Sequence, residues 1–318
     1  MGFFEFVFTV EFFFSIIRIT APIIFATLAA IICQKGGVSN IGLEGTMMMS
    51  ALFGSLFAYY SGSWIVGVLV AIITGIIVSL GIAFFAFNLR TNIILAGTAV
   101  NMIGSGGTIF LVKVITGMTE GNQLTSTNGL ISTRLQIPVI NIPILKDIPL
   151  IGGVLSGHSL LTYLAFVLVF LTWALLYKTP IGLNIRSVGE NPNAASSVGV
   201  SVIKIKYTVL IIGGILAGLG GAFMSMYYSM GWSQDMVAGR GFIALAATAM
   251  GGGEPLGGLL AALIFGFAQA LSIKASAVGI DSNLVSPIPY LVTIIGLVVF
   301  AIVAREKAKK PHKVKESA

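Results

Sequence analysis

The hydrophobic pattern of the chain consists of long apolar runs separated by short polar or glycine-rich stretches. Continuous apolar runs of roughly 15 to 25 residues are typical of helices that cross a bilayer. The pattern predicts nine such segments, at 11–33, 46–60, 64–87, 92–115, 159–177, 207–230, 241–252, 257–277 and 287–304. The seventh is short and rich in glycine, so it is predicted either to cross or to be re-entrant. The chain is therefore predicted to be an all-α polytopic membrane protein of about nine transmembrane segments.

The order of the segments indicates an internal symmetry. They divide into four segments, a single fifth segment, and four more segments that follow the polar loop 178–206. Segments one to four and six to nine then run in opposite directions across the membrane, which is the pattern of an inverted repeat. We predict a single transmembrane domain over residues 1–318, in which loop 178–206 and the tail 305–318 lie outside the bilayer.

Composition excludes a large soluble domain. Hydrophobic residues make up 56% of the chain and charged residues 9%, whereas soluble domains carry about a quarter charged residues. No polar stretch is long enough to build a second domain. The single cysteine, Cys33, excludes an internal disulfide.

The distribution of Lys and Arg predicts the orientation. The net charge is +7, much of it in the tail 305–318. Because basic loops favour the cytoplasmic side, this tail and loop 178–206 are predicted to be cytoplasmic. Nine crossings then place the N-terminus and the long loop 116–158 outside. We interpret the basic tail as a membrane-surface feature, so the lipid bilayer is an expected partner and nucleic acid is not.

Loop 178–206 contains the signals of one short helix. Asn191 is predicted to cap it, Pro192 suits its first position, and Gly199 suits a left-handed residue after its end. So short a helix is not stable alone in water. Ala194 and Ala195 would let the surface of another protein approach closely. Two interpretations stay open here, a docking element and an ordinary connector.

Three separated motifs, in the right order along the chain, carry a family resemblance. They are "SNIGLEGTMMMSA" from Ser39, "GENPNAASSVGV" from Gly189 followed by "GGILAGLGGAF", and "GRGFIALAATAMGGGEPLGGLLAALIFG" from Gly239 to Gly266. Together they resemble the permease subunits of ABC importers in the branched-chain amino acid, ribose and nucleoside permease superfamily, over roughly residues 15–304. The first motif looks most like the nucleoside-importer branch, where a Gly-Leu-Glu-Gly core recurs at this place.

The resemblance implies a function and a set of partners. It implies a nucleoside-importing permease subunit in the plasma membrane of a prokaryote, with ATP hydrolysed on a separate ATPase subunit. A second permease subunit, forming a heterodimer, and an extracytoplasmic substrate-binding protein or lipoprotein are the other implied partners. No cofactor is expected on this chain. The short helix is implied to be the coupling helix that seats in the ATPase, through Glu190, Asn191, Pro192, Ala194, Ala195 and Gly199.

Polar residues in and beside the apolar segments are the candidates for the translocation pathway. Glu44 stands at the mouth of segment 46–60 between two glycines. Asn40 and Glu44 are predicted to cap the start of that helix, as Glu254 is for segment eight. The stretch 39–45 is predicted to be broken and non-helical. It is also a candidate to line the pathway, because irregular backbone in a membrane survives only beside protein or water. The pathway candidates are Asn40, Glu44, Thr98, Asn101 and Ser105.

Two alternative functions stay open. The sequence has neither an HExxH motif nor a P-loop, so it is not predicted to be an enzyme. An ion-coupled secondary transporter would need a membrane-embedded acid, for which Glu44 and Glu254 are the candidates. An ABC permease for ribose-like sugars is the other alternative.

Overall fold

The chain folds as a polytopic bundle of helices, described by a computed structural model for residues 9–115, 135–141, 151–277, 281, 285 and 287–309. The helices are α1 (Val10–Lys35), α2 (Leu43–Ser61), α3 (Trp64–Ala83), α4 (Ile93–Met102), α5 (Thr108–Ile115), α6 (Ile151–Leu155), α7 (Leu160–Lys178), α8 (Pro180–Glu190), α9 (Pro192–Ser197), α10 (Val202–Phe223), α11 (Arg240–Met250), α12 (Pro255–Ala277) and α13 (Ile288–Lys309). π-Helical turns extend α3 over Phe84–Asn88, join α4 to α5 over Ile103–Gly107, and extend α10 over Met224–Tyr228.

Two short strands form a feature that the apolar pattern did not predict. Strand β1 (Val139–Ile140) pairs antiparallel with β2 (His158–Ser159), with Val139 opposite Ser159. Strands of two residues are below the length at which alternation is visible in a sequence. Residues 116–134 and 142–150 of the long loop and residues 310–318 of the tail lie outside the described residues, so the predicted locations of most of that loop and of the end of the tail do too.

Six helical stretches of the described chain are long and apolar enough to cross a membrane by themselves. They are Val10–Lys35, Trp64–Asn88, Ile93–Ile115, Leu160–Lys178, Val202–Tyr228 and Pro255–Ala277. This confirms the prediction of an all-α polytopic membrane protein in its general form.

Segments two and seven depart from the prediction in a related way. Helix α2 begins at Leu43 rather than at residue 46, after the irregular stretch 36–42. Helix α11 has 11 residues, which at 1.5 Å per residue is roughly half of a bilayer core about 30 Å thick. It follows the irregular stretch 229–239. Each segment therefore consists of an irregular part followed by a helix.

Helices α1 and α10 lie at the centre of the bundle. Both are 83% buried over their most apolar window, against 28% for Trp64–Asn88 and 17% for Ile93–Ile115. Small residues allow close helix packing in membranes, and α10 meets α3 through such residues. A Cβ added to Gly75 would lie 2.1 Å from the carbonyl oxygen of Gly214. The α3–α10 contact therefore requires glycine at this position.

We expect Gly75→Ala to lower the free energy of unfolding by about 1–3 kcal/mol, because the added methyl meets backbone that cannot move aside. Denaturation of the detergent-solubilised chain measures this. Gly81→Ala is the matched control in the same helix, since no atom lies within 4 Å of its added Cβ. A Gly75→Ala chain as stable as the Gly81→Ala chain would contradict the packing described here.

Candidate translocation and coupling site

The irregular stretch before α2 is held by two asparagine side chains. Asn40 Oδ1 accepts from the Gly42 N–H at 3.0 Å, which closes a local side-chain turn. Asn101, on α4, donates from Nδ2 to the Ile41 carbonyl at 3.0 Å and accepts the Gly45 N–H on Oδ1 at 2.8 Å. Asn40 thus satisfies the amide of Gly42, which precedes α2, but it does not cap the first turn of that helix as expected. Both ends of the Asn101 amide therefore bind this stretch.

Glu44 joins the irregular stretch to α11 rather than capping its own helix. Its carboxylate accepts the Gly239 N–H at 2.8 Å and the Gly241 N–H at 2.6 Å. Gly239, at the N-cap of α11, has a left-handed backbone with φ of 77°, a conformation that favours glycine. The prediction that Glu44 satisfies amides at the start of the following helix is wrong. The carboxylate instead stabilises the free N–H groups and the positive end of the half-length helix α11.

A buried arginine sits at the same junction and was missed by the sequence analysis. Arg240 is 5% exposed. Its Nη1 donates to the carbonyls of Met236 and Val237 at 3.3 and 3.1 Å, and its guanidinium lies 5.0 Å from the centre of the Tyr228 ring. A buried cation requires compensation, and Glu44 is close enough to supply an attractive charge. The "GRG" of the third motif was the signal available in the sequence.

The polar face predicted for segment four does not converge on one place. The Thr98 and Ser105 side chains are exposed, and their hydroxyls donate to carbonyls of their own helix, at 2.9 Å to Leu95 and 3.2 Å to Met102. They share this surface with apolar side chains, among them Met102 at 74% exposure. Asn101 turns inward to α2. The candidates Thr98 and Ser105 therefore lie on the exposed side of this segment, whereas Asn101 contacts the stretch before α2.

The short helix of loop 178–206 forms as predicted. Asn191 Oδ1 accepts the N–H groups of Asn193 and Ala194 at 3.1 and 3.0 Å, and Pro192 occupies the first turn. Helix α9 ends at Ser197, and Gly199 follows with φ of +85°. The structure therefore confirms the predicted positions of Asn191, Pro192 and Gly199 at the two ends of this helix.

The outer face of α9 differs from the expected one. Ala195 is 3% exposed and packs against its own chain, so the prediction that both alanines face outward is wrong for Ala195. Helical spacing explains this, because consecutive residues point in directions about 100° apart. Ala194 is exposed, and so is Val198, at 79%. Glu190, at the end of α8, faces the cleft beside α1.

Comparison with known proteins assigns the chain to a family. The family described as "Branched-chain amino acid transport system / permease component" matches residues 12–303. The chain belongs to this family. It is a permease component of a transport system rather than an enzyme, and no solved structure matches it significantly.

Three relatives of this permease are similar over most of their length. The guanosine ABC transporter permease protein NupQ of Bacillus subtilis (strain 168) is 36% identical over 304 residues, 92% of each chain. The nucleoside ABC transporter permease protein NupC of Lactococcus lactis subsp. cremoris (strain MG1363) is 33% identical, over 88% of this chain and 89% of its own. The putative glucose ABC transporter permease protein TsgC13 of Haloferax volcanii is 29% identical over 92% of each.

The permease has a polar cluster where α1, α7, α8 and the turn before α12 meet. Lys35 Nζ lies 2.7 Å from Glu254 Oε1, and the Tyr177 hydroxyl donates to the same carboxylate. The Arg186 guanidinium, on α8, lies 4.8 Å from the centre of the Tyr177 ring. The Glu254 side chain therefore binds α1 and α7, and the prediction that it caps segment eight is wrong. The cluster connects the loop of α8 and α9 to the end of α11.

The charge state of this cluster follows from its surroundings. Partial burial opposes ionisation of Glu254, but hydrogen bonds from Lys35 and Tyr177 and the charges of Lys35 and Arg186 outweigh it, so the pKa of this carboxyl lies below its usual value. A depressed pKa contributes stability that is present above the usual value and lost as the pH falls through the folded one. The Glu254 carboxyl therefore stays ionised throughout the neutral range.

We expect the Lys35–Glu254 pair to contribute at most about 1 kcal/mol, because its side chains are 24% and 46% exposed and solvent screens the charges. A double-mutant cycle with Lys35→Gln and Glu254→Gln, measured by denaturation at neutral pH, gives this coupling energy. It should vanish when the pH is lowered far enough to protonate Glu254. A coupling energy of several kcal/mol, or one that grows on acidification, would contradict this description.

Proposed function

We propose that the chain is the membrane-spanning subunit of an ATP-driven ABC importer for nucleosides. The observation that carries the proposal is the capped helix α9, which presents Ala194 and Val198 outward on a loop whose Arg186 contacts Tyr177 of the Lys35–Glu254 cluster. Such a loop is suited to receive a movement from another subunit. The substrate class is supported by the names of the relatives that are 36% and 33% identical.

The proposed partners divide the work of transport. An ATPase subunit would seat on α9 through Glu190, Asn191, Pro192, Ala194 and Gly199, with Val198 added and Ala195 supporting the helix from within. A second permease subunit, forming a heterodimer, would complete the channel, and the exposed face that carries Thr98 and Ser105 is available to it. An extracytoplasmic binding protein or lipoprotein would deliver the substrate. We propose no cofactor on this chain.

We further propose nine crossings arranged as an inverted repeat in the plasma membrane of a prokaryote. Segments two and seven are equivalent in such a repeat, and each consists of an irregular stretch followed by a helix. The N-termini of these two helices, α2 and α11, meet at Glu44. Segments one and six, also equivalent, contain the two most buried long helices. The broken crossing 229–250 returns the chain from the end of α10 to Glu254, beside α1. Nine crossings and the basic tail favour a cytoplasmic C-terminus and an outer N-terminus.

The pathway is proposed to run beside the Glu44 contact rather than along α4. Asn40 and Glu44 lie where two irregular stretches meet, and such backbone is tolerated in membranes where it borders protein or water. Asn101 positions the stretch by its two hydrogen bonds. An ion-coupled mechanism is less favoured, because both oxygens of Glu44 accept N–H groups and leave no evident place for a transported ion.

Uptake by cells that express the complete transporter tests the substrate class. We expect accumulation of labelled guanosine and uridine, with mutual competition, and no competition by leucine, ribose or glucose. The same cells without this chain are the control. Accumulation of ribose, glucose or leucine without competition from nucleosides would overturn the nucleoside assignment and leave the family membership intact.

A further inference from the structure

A cleft with two basic side chains lies between the N-terminal part of α1 and the C-terminal part of α12. Its walls include Arg18 and Lys274, together with Glu11, Ser15 and Tyr228. Its volume is about 180 Å³, which is below the roughly 300–1,000 Å³ of sites for whole small molecules. The cleft therefore suits a single charged group, such as a phosphate, rather than a nucleoside.

The two basic residues of the cleft lie at nearly the same level of the bundle. Lys35 and Glu254 are in contact at the opposite ends of α1 and α12, so positions along both helices can be measured from that contact. At 1.5 Å per residue, Arg18 lies about 25 Å along α1 from Lys35, and Lys274 lies about 29 Å along α12 from Pro255. The hydrocarbon core of a bilayer is about 30 Å thick. Both cations therefore lie close to the level at which the core meets the headgroups of the opposite leaflet.

Arg18 has no anionic partner in the part of the chain that the structure describes. No carboxylate there lies within ion-pair distance of it, and its guanidinium lies 5.4 Å from the centre of the Tyr228 ring. Its Nε is buried without a hydrogen-bond partner. The two Nη nitrogens are not enclosed in this way and the side chain lines the cleft, so four N–H bonds are available to a ligand. Because a cation at the edge of a membrane core is costly unless it is paired, Arg18 requires an anion from outside the chain.

The surfaces beside the cleft are apolar and exposed. Ile273, which lines the cleft, is 52% exposed, and Phe13 and Phe267 are 42% and 37% exposed. Phe12, another wall of the cleft, packs edge-on against the rings of Phe13 and Phe267, with centroids 5.7 and 5.6 Å apart. In a protein that spans a membrane, exposed apolar side chains contact the lipid tails. The cleft thus combines a basic site at headgroup level with an apolar flank.

We infer that this cleft binds the phosphodiester group of an anionic phospholipid, with Arg18 and Lys274 contacting the phosphate and the acyl chains lying along the apolar flank. Arginine binds phosphate through two parallel N–H bonds, and basic pockets between membrane helices suit anionic headgroups. The lining residues carry two cations and one carboxylate, the exposed Glu11, so that the net charge of the cleft is positive. A phosphate held in this way joins α1 to α12. The proposed orientation assigns the lipid to the outer leaflet, and the site does not depend on the transported substrate.

Lipid occupancy of the complete importer tests the site. The importer is placed in phosphatidylcholine nanodiscs with an increasing mole fraction of phosphatidylglycerol, and native mass spectrometry counts the phosphatidylglycerol molecules that stay bound. Arg18→Gln and Lys274→Gln should each raise the mole fraction for half-occupancy roughly tenfold, which corresponds to about 1.4 kcal/mol, because each removes a charged contact with the phosphate. Arg18→Lys keeps the charge and should lie between Arg18→Gln and the unsubstituted importer.

A matched cation and a melting experiment separate lipid binding from general effects of charge and folding. Lys113 is exposed in the last turn of α5 and is not part of the cleft, so Lys113→Gln should leave the occupancy unchanged. A ligand stabilises the folded state that binds it, so phosphatidylglycerol should raise the melting temperature of the Lys113→Gln importer. It should not raise that of the Arg18→Gln importer. Inorganic phosphate, added to nanodiscs of phosphatidylcholine alone, should raise neither.

Two results would overturn the inference. One is equal phosphatidylglycerol occupancy in the Arg18→Gln, Lys274→Gln and Lys113→Gln importers. The other is a rise in melting temperature with inorganic phosphate as large as the rise with phosphatidylglycerol, which would identify a site for free phosphate rather than for a lipid. Both results leave the proposed function standing, because nucleoside uptake is measured independently of lipid occupancy.

Discussion

Ala194→Trp should abolish ATP-driven uptake while leaving the chain folded and inserted. Ala194 is exposed on α9, so the indole ring would stand between this helix and the ATPase surface proposed to receive it. Overpacking of a close contact costs about 1–3 kcal/mol, which corresponds to roughly fivefold to 150-fold in affinity. Val198→Asp should act in the same way. The Val198 side chain is 79% exposed in this chain and is proposed to be covered by the ATPase, so the substitution would bury a charge in that interface. Co-purification of the ATPase and uptake of guanosine are the two measurements.

Matched variants show whether the loss of uptake comes from the exposed surface of α9 rather than from misfolding. Ala194→Ser adds a single oxygen to the same position and should retain the ATPase. Ala195→Trp is a different case, because Ala195 is 3% exposed and the ring would disturb the packing of α9 on its own chain. It should therefore lower thermal stability, whereas Ala194→Trp should not. Full uptake and ATPase retention by Ala194→Trp would show that α9 is not the coupling element.

Glu44→Ala should both destabilise the chain and stop transport. The substitution leaves the Gly239 and Gly241 N–H groups without their acceptor and takes a carboxylate away from the buried Arg240. Each unsatisfied buried donor costs about 1–3 kcal/mol, so we expect a loss of about 2–5 kcal/mol in the free energy of unfolding. Glu44→Gln keeps one acceptor oxygen without the charge and should lie between Glu44→Ala and the unsubstituted chain.

Glu11→Ala is the control for this series, because Glu11 is exposed in the first turn of α1. Denaturation measures stability, and guanosine uptake at equal amounts of inserted protein measures transport. Equal stability and uptake for Glu44→Ala and Glu11→Ala would contradict the role given to the contact between α2 and α11.

Local signals predicted the parts of the site that are close in sequence. Helix α9 was predictable because its cap, its first proline and its terminal glycine all lie within nine residues, from Asn191 to Gly199. The turn of Asn40 with Gly42 was predictable for the same reason. In each case the side chain and the amide that it binds are at most a few positions apart, so that the geometry depends on local backbone alone.

Contacts across long sequence separations escaped the prediction. Glu44 and Gly239 are separated by 195 positions, and Lys35 and Glu254 by 219. A carboxylate before an apolar run can cap either the next helix or a distant one. The local sequence around the carboxylate is the same in both cases and does not distinguish them. The inward orientation of Ala195 and the division of the polar face of α4 depend likewise on which neighbours pack against a helix, which periodicity does not specify for a helix that is apolar on most sides.

The source of energy is the most direct test of the proposed function. Proteoliposomes that contain the complete importer and are loaded with ATP receive the binding protein and labelled guanosine from outside. We predict accumulation of guanosine that requires internal ATP, is lost with Ala194→Trp, and is unchanged by ionophores that abolish proton and sodium gradients. Accumulation without ATP, driven by an imposed ion gradient and abolished by the ionophores, would contradict the account.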